Sequence, residues 1–191
     1  MSERADEVVT LMDESLAAVA ALRDQAAVVA DIADAVVRSL KAGHTLLLCG
    51  NGGSAAQCQH IATEFTGRFK LERPGFRAIA LTTDSSALTA IGNDYGFERV
   101  FSRQVEAVAR PGDVLVGLST SGGSANVLKA FEAARTLGVT TVALVGSTPA
   151  KMAELADITL AAPSDTSAAI QECHLVALHI VCDLAERQLA K

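Results

Sequence analysis

Two short segments rich in glycine and hydroxyl residues each follow a run of apolar residues. The first, residues 49–56, reads Cys-Gly-Asn-Gly-Gly-Ser-Ala-Ala, and the second, residues 119–126, reads Ser-Thr-Ser-Gly-Gly-Ser-Ala-Asn. Glycines allow close backbone approach to a ligand, and N–H groups and hydroxyls at a helix start bind anions. Neither segment carries the Gly-Lys-Ser/Thr end of a nucleoside-triphosphate loop. The pair therefore predicts a site for a phosphate group on a small polar molecule such as a sugar.

A turn of this composition can also do no more than join a strand to a helix. Two such turns at the same end of a parallel sheet favour a ligand site, because ligands of open α/β sheets bind outside the carboxyl ends of the strands. Ser54 is expected to cap the helix after the first turn. The candidate phosphate-binding residues of the second turn are Ser119, Thr120, Ser121 and Ser124.

A second group of residues could move protons or hold a metal ion. His60 and Glu64 are four residues apart in a helical pattern, so their side chains share one helix face. Gln171 and His179 lie in the last helical pattern, about 80° apart around the helix axis, and could reach into one cavity. The alternatives are that His60 and Glu64 are ordinary surface residues and that His179 is a core histidine.

Five apolar runs of strand length alternate with helical patterns and are expected to position these residues. Strands that are apolar throughout are covered on both faces, which predicts an α/β fold with a parallel sheet between two layers of helices. The predicted strands are 45–49, 78–82, 114–119, 140–145 and 158–161, and the predicted helices are 54–66, 85–92, 97–109, 124–137, 150–155 and 167–189.

The N-terminal region has a helical pattern of its own. Residues 5–40 contain no glycine or proline, and their apolar residues recur at the spacing of one or two amphipathic helices. This region has more apolar surface than a lone surface helix needs, so we expect it to pack against another subunit. We predict a single domain over residues 1–191, with an oligomerisation segment at about residues 1–42.

Composition excludes several classes of protein. The 191 residues are 50% hydrophobic and 20% charged, which excludes intrinsic disorder. A net charge of −6, 4% aromatic residues and no tryptophan argue against binding to nucleic acid. The apolar runs are too short to span a membrane, and the N-terminus has no apolar signal core. Four cysteines without a CxxC pair favour reduced, buried thiols, so we expect a cytoplasmic protein.

The motifs in this order resemble the phosphoheptose isomerases of the sugar isomerase (SIS) family, and the resemblance covers nearly the whole chain. It is carried by Cys49-Gly50-Asn51-Gly52-Gly53-Ser54, His60-x-x-x-Glu64-x-Thr66-Gly67-Arg68, Gly92-Asn93-Asp94, the segment 119–126, Ile170-Gln171-Glu172-x-His174 and His179. The resemblance implies a three-layer, flavodoxin-like SIS fold with a five-stranded parallel sheet. It also implies a homotetramer with active sites where subunits meet.

The same resemblance implies an activity: conversion of sedoheptulose 7-phosphate to D-glycero-D-manno-heptose 7-phosphate through a cis-enediol, the first step towards nucleotide-activated heptose. Glu64 and His179 are the implied acid–base residues. A zinc ion is the implied cofactor, held by His60, Glu64, Gln171 and His179. The implied phosphate contacts are Ser119, Thr120, Ser121 and Ser124, and the implied sugar contacts are Asn51, Gly52, Gly53, Ser54, Asn93, Asp94 and Gln171.

Three positions depart from the family pattern. Gln57 stands where an aspartate is common, Gly123 replaces a common asparagine, and Ala168-Ala169 stand where an arginine is frequent. Two alternatives to the implied function remain open. One is a non-catalytic SIS protein that resembles the DnaA initiator-associating proteins, which tend to lack the pair equivalent to Glu64 and His179. The other is an isomerase of a different sugar phosphate, because a phosphate cradle does not specify the length of the sugar.

Overall fold

The computed structural model describes residues 2–148 and 151–190. Five parallel strands form one sheet, in the order β2-β1-β3-β4-β5. The strands are β1 (Leu46–Gly50), β2 (Ala78–Ala80), β3 (Val114–Ser119), β4 (Thr140–Val145) and β5 (Ile158–Ala161). The last three match the predicted bounds. The predicted strand 78–82 was too long, and because β2 lies at the sheet edge its Ile79 is exposed rather than covered.

Eight α-helices and two 3-10 turns surround this sheet in the described residues. The helices are α1 (Glu3–Ala21), α2 (Ala26–Lys41), α3 (Gly53–Thr66), α4 (Ser85–Tyr95), α5 (Ser102–Val108), α6 (Ala125–Thr136), α7 (Lys151–Leu155) and α8 (Ser167–Leu189). The 3-10 turns are Leu22–Gln25 and Phe97–Arg99. The helix predicted at 97–109 is therefore divided into a 3-10 turn and α5. Residue 150 of the helix predicted at 150–155 lies outside the described residues.

The helices cover both faces of the sheet, as the uniformly apolar strands predict. Leu46 and Leu48 of β1 belong to a core cluster with α1, α2, α3 and α8. Their neighbours Leu47 and Cys49 point to the opposite face and pack with α5, α6 and α7. The alternation follows from the period of two along a strand. The three-layer α/β prediction is confirmed.

Helix α8 is the longest helix of the described chain and carries the last group of candidate residues. It is long and apolar enough to cross a membrane by length and composition, but half of its most apolar 18-residue window is buried inside the protein. It packs against α1, α2 and α3, and it carries a buried glutamate, Glu186. These are the features of a core helix in a folded domain.

The N-terminal helix α1 buries little of its apolar surface. Of its residues only Ala18 is buried. The exposed fractions of the apolar residues Val8, Leu11, Met12 and Leu16 are 44%, 58%, 60% and 65%. The expected excess of apolar surface is present in the structure, and the oligomerisation that it suggests remains a prediction.

The four cysteines, Cys49, Cys58, Cys173 and Cys182, are all free and buried. Burial raises the pKa of Cys49 and of Cys182 to about 12. Such thiols are poor nucleophiles. They are packing residues of the core, as the sequence predicts.

Candidate active site

The two glycine-rich loops leave neighbouring strands at the same edge of the sheet. Strands β1 and β3 pair in parallel, with Gly50 opposite Leu118, so both loops begin at the carboxyl edge. The side chains of Asn51 and Asn126 join the loops through two reciprocal amide hydrogen bonds of 2.9 and 2.8 Å. Asn126 is buried. Its role as a link between the loops was not predicted, because its partner is 75 positions away.

The first loop requires glycine for two different reasons. Gly52 adopts a φ of +55°, which side-chain-bearing residues rarely adopt. A Cβ atom on Gly53 would lie 2.6 Å from Oε1 of Gln171, so this loop lies directly against α8. Helix α3 begins at Gly53 with Gly52 as its N-cap residue. The expected cap at Ser54 is therefore wrong: Ser54 lies inside the first turn of α3 and is buried.

The second loop combines fixed and accessible hydroxyl groups. The Oγ atoms of Ser119 and Ser124 lie 2.9 Å apart, whereas Ser121 is exposed. Thr120 is held in place because its carbonyl oxygen accepts a hydrogen bond from the Gly146 N–H at 3.2 Å. Helix α6 begins just after Ser124, so the N–H groups at the positive end of its dipole lie next to this loop. These groups can bind an anion without a lysine or arginine side chain.

A cavity of about 420 Å³ adjoins the second loop at the ends of β4 and β5. This volume is within the usual range for small-molecule sites. Polar groups dominate its lining, which consists of Thr120, Ser121, Gly146, Ser147, Thr148, Ser164, Asp165 and Ile170. The lining suits a polar ligand.

Helices α3 and α8 bring His60, Glu64 and His179 together. The Nε2 atoms of His60 and His179 lie 2.9 Å apart, and Nε2 of His60 lies 3.5 Å from Oε1 of Glu64. Burial and the nearby His60 and Lys70 lower the pKa of His179, while Glu64 partly opposes them. The His179 imidazole therefore stays neutral more readily than an exposed one, which suits proton exchange with a substrate oxygen.

The same three side chains could hold a metal ion. One ligand atom from each of His60, Glu64 and His179 lies within 4.8 Å of the others. Two imidazoles and one carboxylate form a donor set that is typical of catalytic zinc sites, which leave a further position open. The hydrogen bonds of the described residues include none from the side chain of Gln171 to these three. That amide lies instead against Gly53 of the first loop.

Gln57 connects α3 to α8 directly. Its Nε2 donates a hydrogen bond of 2.7 Å to the backbone carbonyl of Gln171. Its Oε1 is buried and has no hydrogen-bond partner among the described residues. A carboxylate at position 57 could not donate this bond, so the departure from the family pattern creates a contact specific to the amide.

Other candidate residues lie away from this cluster. Asn93 and Asp94 belong to the last turn of α4, not to a turn after a shorter helix, because α4 continues to Tyr95. Their exposed side chains bond to each other at 2.8 Å. On α8, Glu172 is exposed, and His174 is fully buried with its Nε2 3.0 Å from the carbonyl oxygen of Val145.

The segment after α3 contains a buried ion pair that sequence reasoning missed. The side chains of Arg73 and Glu186 are both 2% exposed, with Nε and Oε1 3.0 Å apart. The sequence did contain a signal that Glu186 is buried. Positions 174, 178, 182 and 186 recur every four residues along the buried face of α8, and a charge at such a position indicates a buried partner.

The class of this parallel five-stranded sheet with two glycine-rich loops at its carboxyl edge is shown by the SIS domain family, which matches residues 12–146. The chain is 53% identical to a phosphoheptose isomerase of Akkermansia muciniphila over 169 residues, 88% of this chain and 89% of that protein. It is 56% identical to a phosphoheptose isomerase of Aliarcobacter butzleri over 154 residues, 81% of this chain and 82% of that protein.

Solved structures of phosphoheptose isomerases have a similar fold. A phosphoheptose isomerase from Neisseria gonorrhoeae is similar at a TM-score of 0.91 and 42% identity, with 96% of this chain and 98% of that one covered. One from Francisella tularensis is similar at a TM-score of 0.93 and 36% identity, with 98% and 100% covered. The chain belongs to the phosphoheptose isomerase family of SIS-domain enzymes, and it is an isomerase.

Proposed function

We propose that this isomerase converts sedoheptulose 7-phosphate to D-glycero-D-manno-heptose 7-phosphate, a step that supplies heptose for nucleotide activation. The observation that carries the proposal is the cluster of His60, Glu64 and His179 on α3 and α8, together with phosphoheptose isomerases that are more than half identical to this chain. The retained Glu64 and His179 argue against a binding protein without catalysis.

In this reaction Glu64 acts as the base and His179 as the proton donor to oxygen. Glu64 removes a proton from C1 of the ketose, the electron pair forms the C1–C2 double bond, and the C2 carbonyl oxygen gains a proton from His179. The O1 hydroxyl of the resulting cis-enediol then gives its proton to His179 as the C1–O1 double bond forms, and the C1–C2 electron pair takes the proton held by Glu64 at C2. This leaves an aldehyde at C1 and returns both residues to their starting protonation states. Positioned acid–base groups of this kind contribute about 10²–10⁴-fold to a rate.

We propose that His60, Glu64 and His179 also hold a zinc ion, with the amide of Gln171 as a further ligand. When bound, zinc would supply polarisation of a substrate carbonyl and stabilisation of negative charge on oxygen. A metal-bound carboxylate is a weaker base, so the two roles of Glu64 compete.

The first test is direct turnover. Purified protein is mixed with sedoheptulose 7-phosphate, with zinc or with a chelator, and heptose 7-phosphate is followed by NMR. Conversion that requires zinc is expected. Glu64→Gln should lower kcat by about 10²–10⁴-fold, whereas Glu72→Gln, whose carboxylate is 92% exposed, should not change it. Turnover of a shorter phosphosugar alone would support the alternative isomerase, and no turnover by a folded protein would support the binding protein.

The second test concerns the phosphate. We propose that Ser119, Thr120, Ser121 and Ser124 bind it, because they belong to the loop that precedes α6 and the hydroxyls of Ser119 and Ser124 lie 2.9 Å apart. Ser121→Ala should raise KM by about 10–150-fold, the equivalent of one hydrogen bond to a charged group, and change kcat little. An unchanged KM would exclude Ser121 from phosphate binding.

We further propose that the protein is a homotetramer whose active sites form where subunits meet, with Asn93 and Asp94 contributing to the sugar site. The exposed apolar residues of α1 support this proposal. Helix α4 supports it as well, because none of its residues, Ser85–Tyr95, is buried. Leu11→Glu should dissociate the assembly in sedimentation measurements. Ala17→Glu, on the opposite face of α1, should leave it intact. A tetramer in both variants would exclude this face.

We place the protein in the cytoplasm. Four buried free thiols support this location, because reduced cysteines persist in reducing compartments. Cell fractionation with a tagged chain tests it, and recovery in an exported or membrane fraction would contradict it.

A further inference from the structure

The carboxylate of Glu186 organises the backbone of the segment that follows α3. Its Oε1 accepts from the N–H of Phe69 at 2.9 Å, and its Oε2 accepts from the N–H groups of Lys70 and Leu71 at 2.7 and 2.8 Å. Burial by itself raises the pKa of Glu186, but these hydrogen bonds and the nearby Arg73 lower it below the usual range. The buried group is therefore an anion that fixes three consecutive residues.

The guanidinium of Arg73 fixes the end of α3. It donates to Glu186 at 3.0 Å, and its Nη2 donates to the carbonyl oxygen of Glu64 at 2.7 Å. Its Nη1 donates to the carbonyl oxygens of Phe65, Gly67 and Pro74. Carbonyl groups at a helix end have no intrahelical donor. Arg73 supplies donors there, one of them directly to the backbone of the proposed base.

The segment held in this way lies against the other proposed acid–base residue. The ring of Phe69 is stacked on the imidazole of His179, with ring centres 5.7 Å apart and an angle of 26° between the planes. His60 meets the same imidazole edge-on, with ring centres 5.1 Å apart. The orientation of His179 is therefore bounded on one side by a residue whose own N–H is bound by Glu186.

We propose that Arg73, Glu186 and Phe69 are positioning residues of the isomerase: the buried pair holds the segment after α3 so that Phe69 orients the His179 ring and the Glu64 backbone stays fixed. None of the three needs to touch the substrate. The inference rests on the proposed roles of Glu64 and His179, and residues behind an active group of this kind typically change activity or metal affinity about 10–100-fold.

The first arm of the test reads the imidazole directly, without activity or metal. The chain has four histidines, so protein labelled at the histidine Cε1 atoms gives four imidazole cross-peaks in a two-dimensional NMR spectrum, and His179→Gln assigns the one of interest. Phe69→Leu removes the stacked ring and should shift the His179 signal downfield. Phe76→Leu is the matched control, because Phe76 lies in the same segment, under the Arg73 guanidinium at 4.1 Å.

Glu186→Gln tests the buried pair in the same spectrum. An amide nitrogen must replace one carboxylate oxygen, so at least two accepted N–H bonds are lost, and the His179 signal should move in the direction seen for Phe69→Leu. If Glu186→Gln does not fold, Glu186→Asp keeps the charge but shortens the reach, and the same shift is expected to a smaller extent. A His179 signal unmoved in Phe69→Leu, or in the folded Glu186 variant, overturns the proposal.

The second arm separates positioning from structural support. Phe69→Leu should lower kcat about tenfold and leave KM within about twofold, since a misoriented acid slows chemistry more than binding. Phe76→Leu should leave both within about twofold. Equal kcat values for the two variants refute a catalytic consequence while the proposed function stands. If wild-type protein shows no turnover, the proposed function fails, and the NMR arm still decides whether Glu186 and Phe69 orient His179.

Discussion

His174 is expected to make the stability of this protein depend on pH between neutral and mildly acidic conditions. The side chain is completely buried in α8, with Nε2 3.0 Å from the carbonyl oxygen of Val145 and Nδ1 without a partner among the described residues. Burial lowers its pKa to about 4, although the bond to Val145 partly opposes this effect. In the neutral ring Nε2–H donates to that carbonyl and Nδ1 is bare, whereas protonation would place a second N–H at Nδ1, where no acceptor lies among the described residues.

The size of the effect follows from the two pKa values. An unfolded chain has a histidine pKa of about 6.5, so below that pH the unfolded state binds a proton that the folded state refuses. The contribution of His174 to the free energy of unfolding is therefore fully present above about pH 6.5. It is lost as the pH falls towards 4, and the total loss is about 3 kcal/mol. Between pH 7 and pH 5 the loss from this residue is about 2 kcal/mol.

Urea unfolding at a fixed protein concentration, at pH 7, 6, 5.5 and 5, measures this loss. The perturbation is His174→Gln, because a glutamine amide can still donate to the Val145 carbonyl but does not titrate. Carboxylates titrate in both proteins and cancel in the difference. His44→Gln removes a half-exposed imidazole and controls for the loss of one histidine. Wild type should lose about 2 kcal/mol more than His174→Gln between pH 7 and pH 5.

Equal losses in the two proteins would refute the reasoning, since they would mean that His174 is not held neutral by burial.

Protonation of His174 would also affect the candidate site. Helix α8 carries Gln171 and His179 as well as His174, and the bond to Val145 ties this helix to the end of β4. Protonation of His174 should therefore loosen the helix that presents both residues.

Two further substitutions test contacts of the site. Gln57→Glu removes the donor to the Gln171 carbonyl and should lower the free energy of unfolding by about 1–3 kcal/mol in urea titrations. Gln59→Glu on the same helix removes an exposed amide hydrogen bond of 3.2 Å to the Thr82 carbonyl and should cost less than about 1 kcal/mol, because water replaces an exposed bond; equal costs would contradict the contact. Gly53→Ala places a Cβ against the Gln171 amide and should lower kcat/KM about tenfold with little change in stability. Gly123→Ala should leave kcat/KM unchanged, because its Cβ meets nothing nearer than 3.9 Å. Unchanged kinetics in both variants would remove Gln171 from the site.

Local patterns in the sequence determined the elements of this fold. Apolar runs of four to six residues predicted β3, β4 and β5 with their observed bounds, and apolar periodicity predicted α8 at 167–189. These signals are local, because the period of burial is a property of a single strand or helix. The i, i+4 spacing of His60 and Glu64 on α3 was readable for the same reason.

The backbone conformation at the ends of the helices was harder to predict from the sequence. Ser54 was expected to cap α3, but Gly52, at a φ of +55°, is the N-cap residue. Helix α3 therefore begins at Gly53 and contains Ser54. The helix predicted at 85–92 was expected to end before Asn93 and Asp94, but α4 continues through them. Both errors arise because a glycine or asparagine near a helix end is compatible with several conformations, and packing selects one.

Tertiary structure alone decided which distant residues meet. His60 and His179 are 119 positions apart, Phe69 and Glu186 are 117 apart, and Asn51 and Asn126 are 75 apart. Hydrophobic periodicity records which face of an element is buried, but it does not record the element that buries it. The order β2-β1-β3-β4-β5 and the packing of α3 against α8 supply that information. They bring His60 to His179 and Asn51 to Asn126, because side-chain chemistry depends on ångström distances that no spacing along the chain encodes.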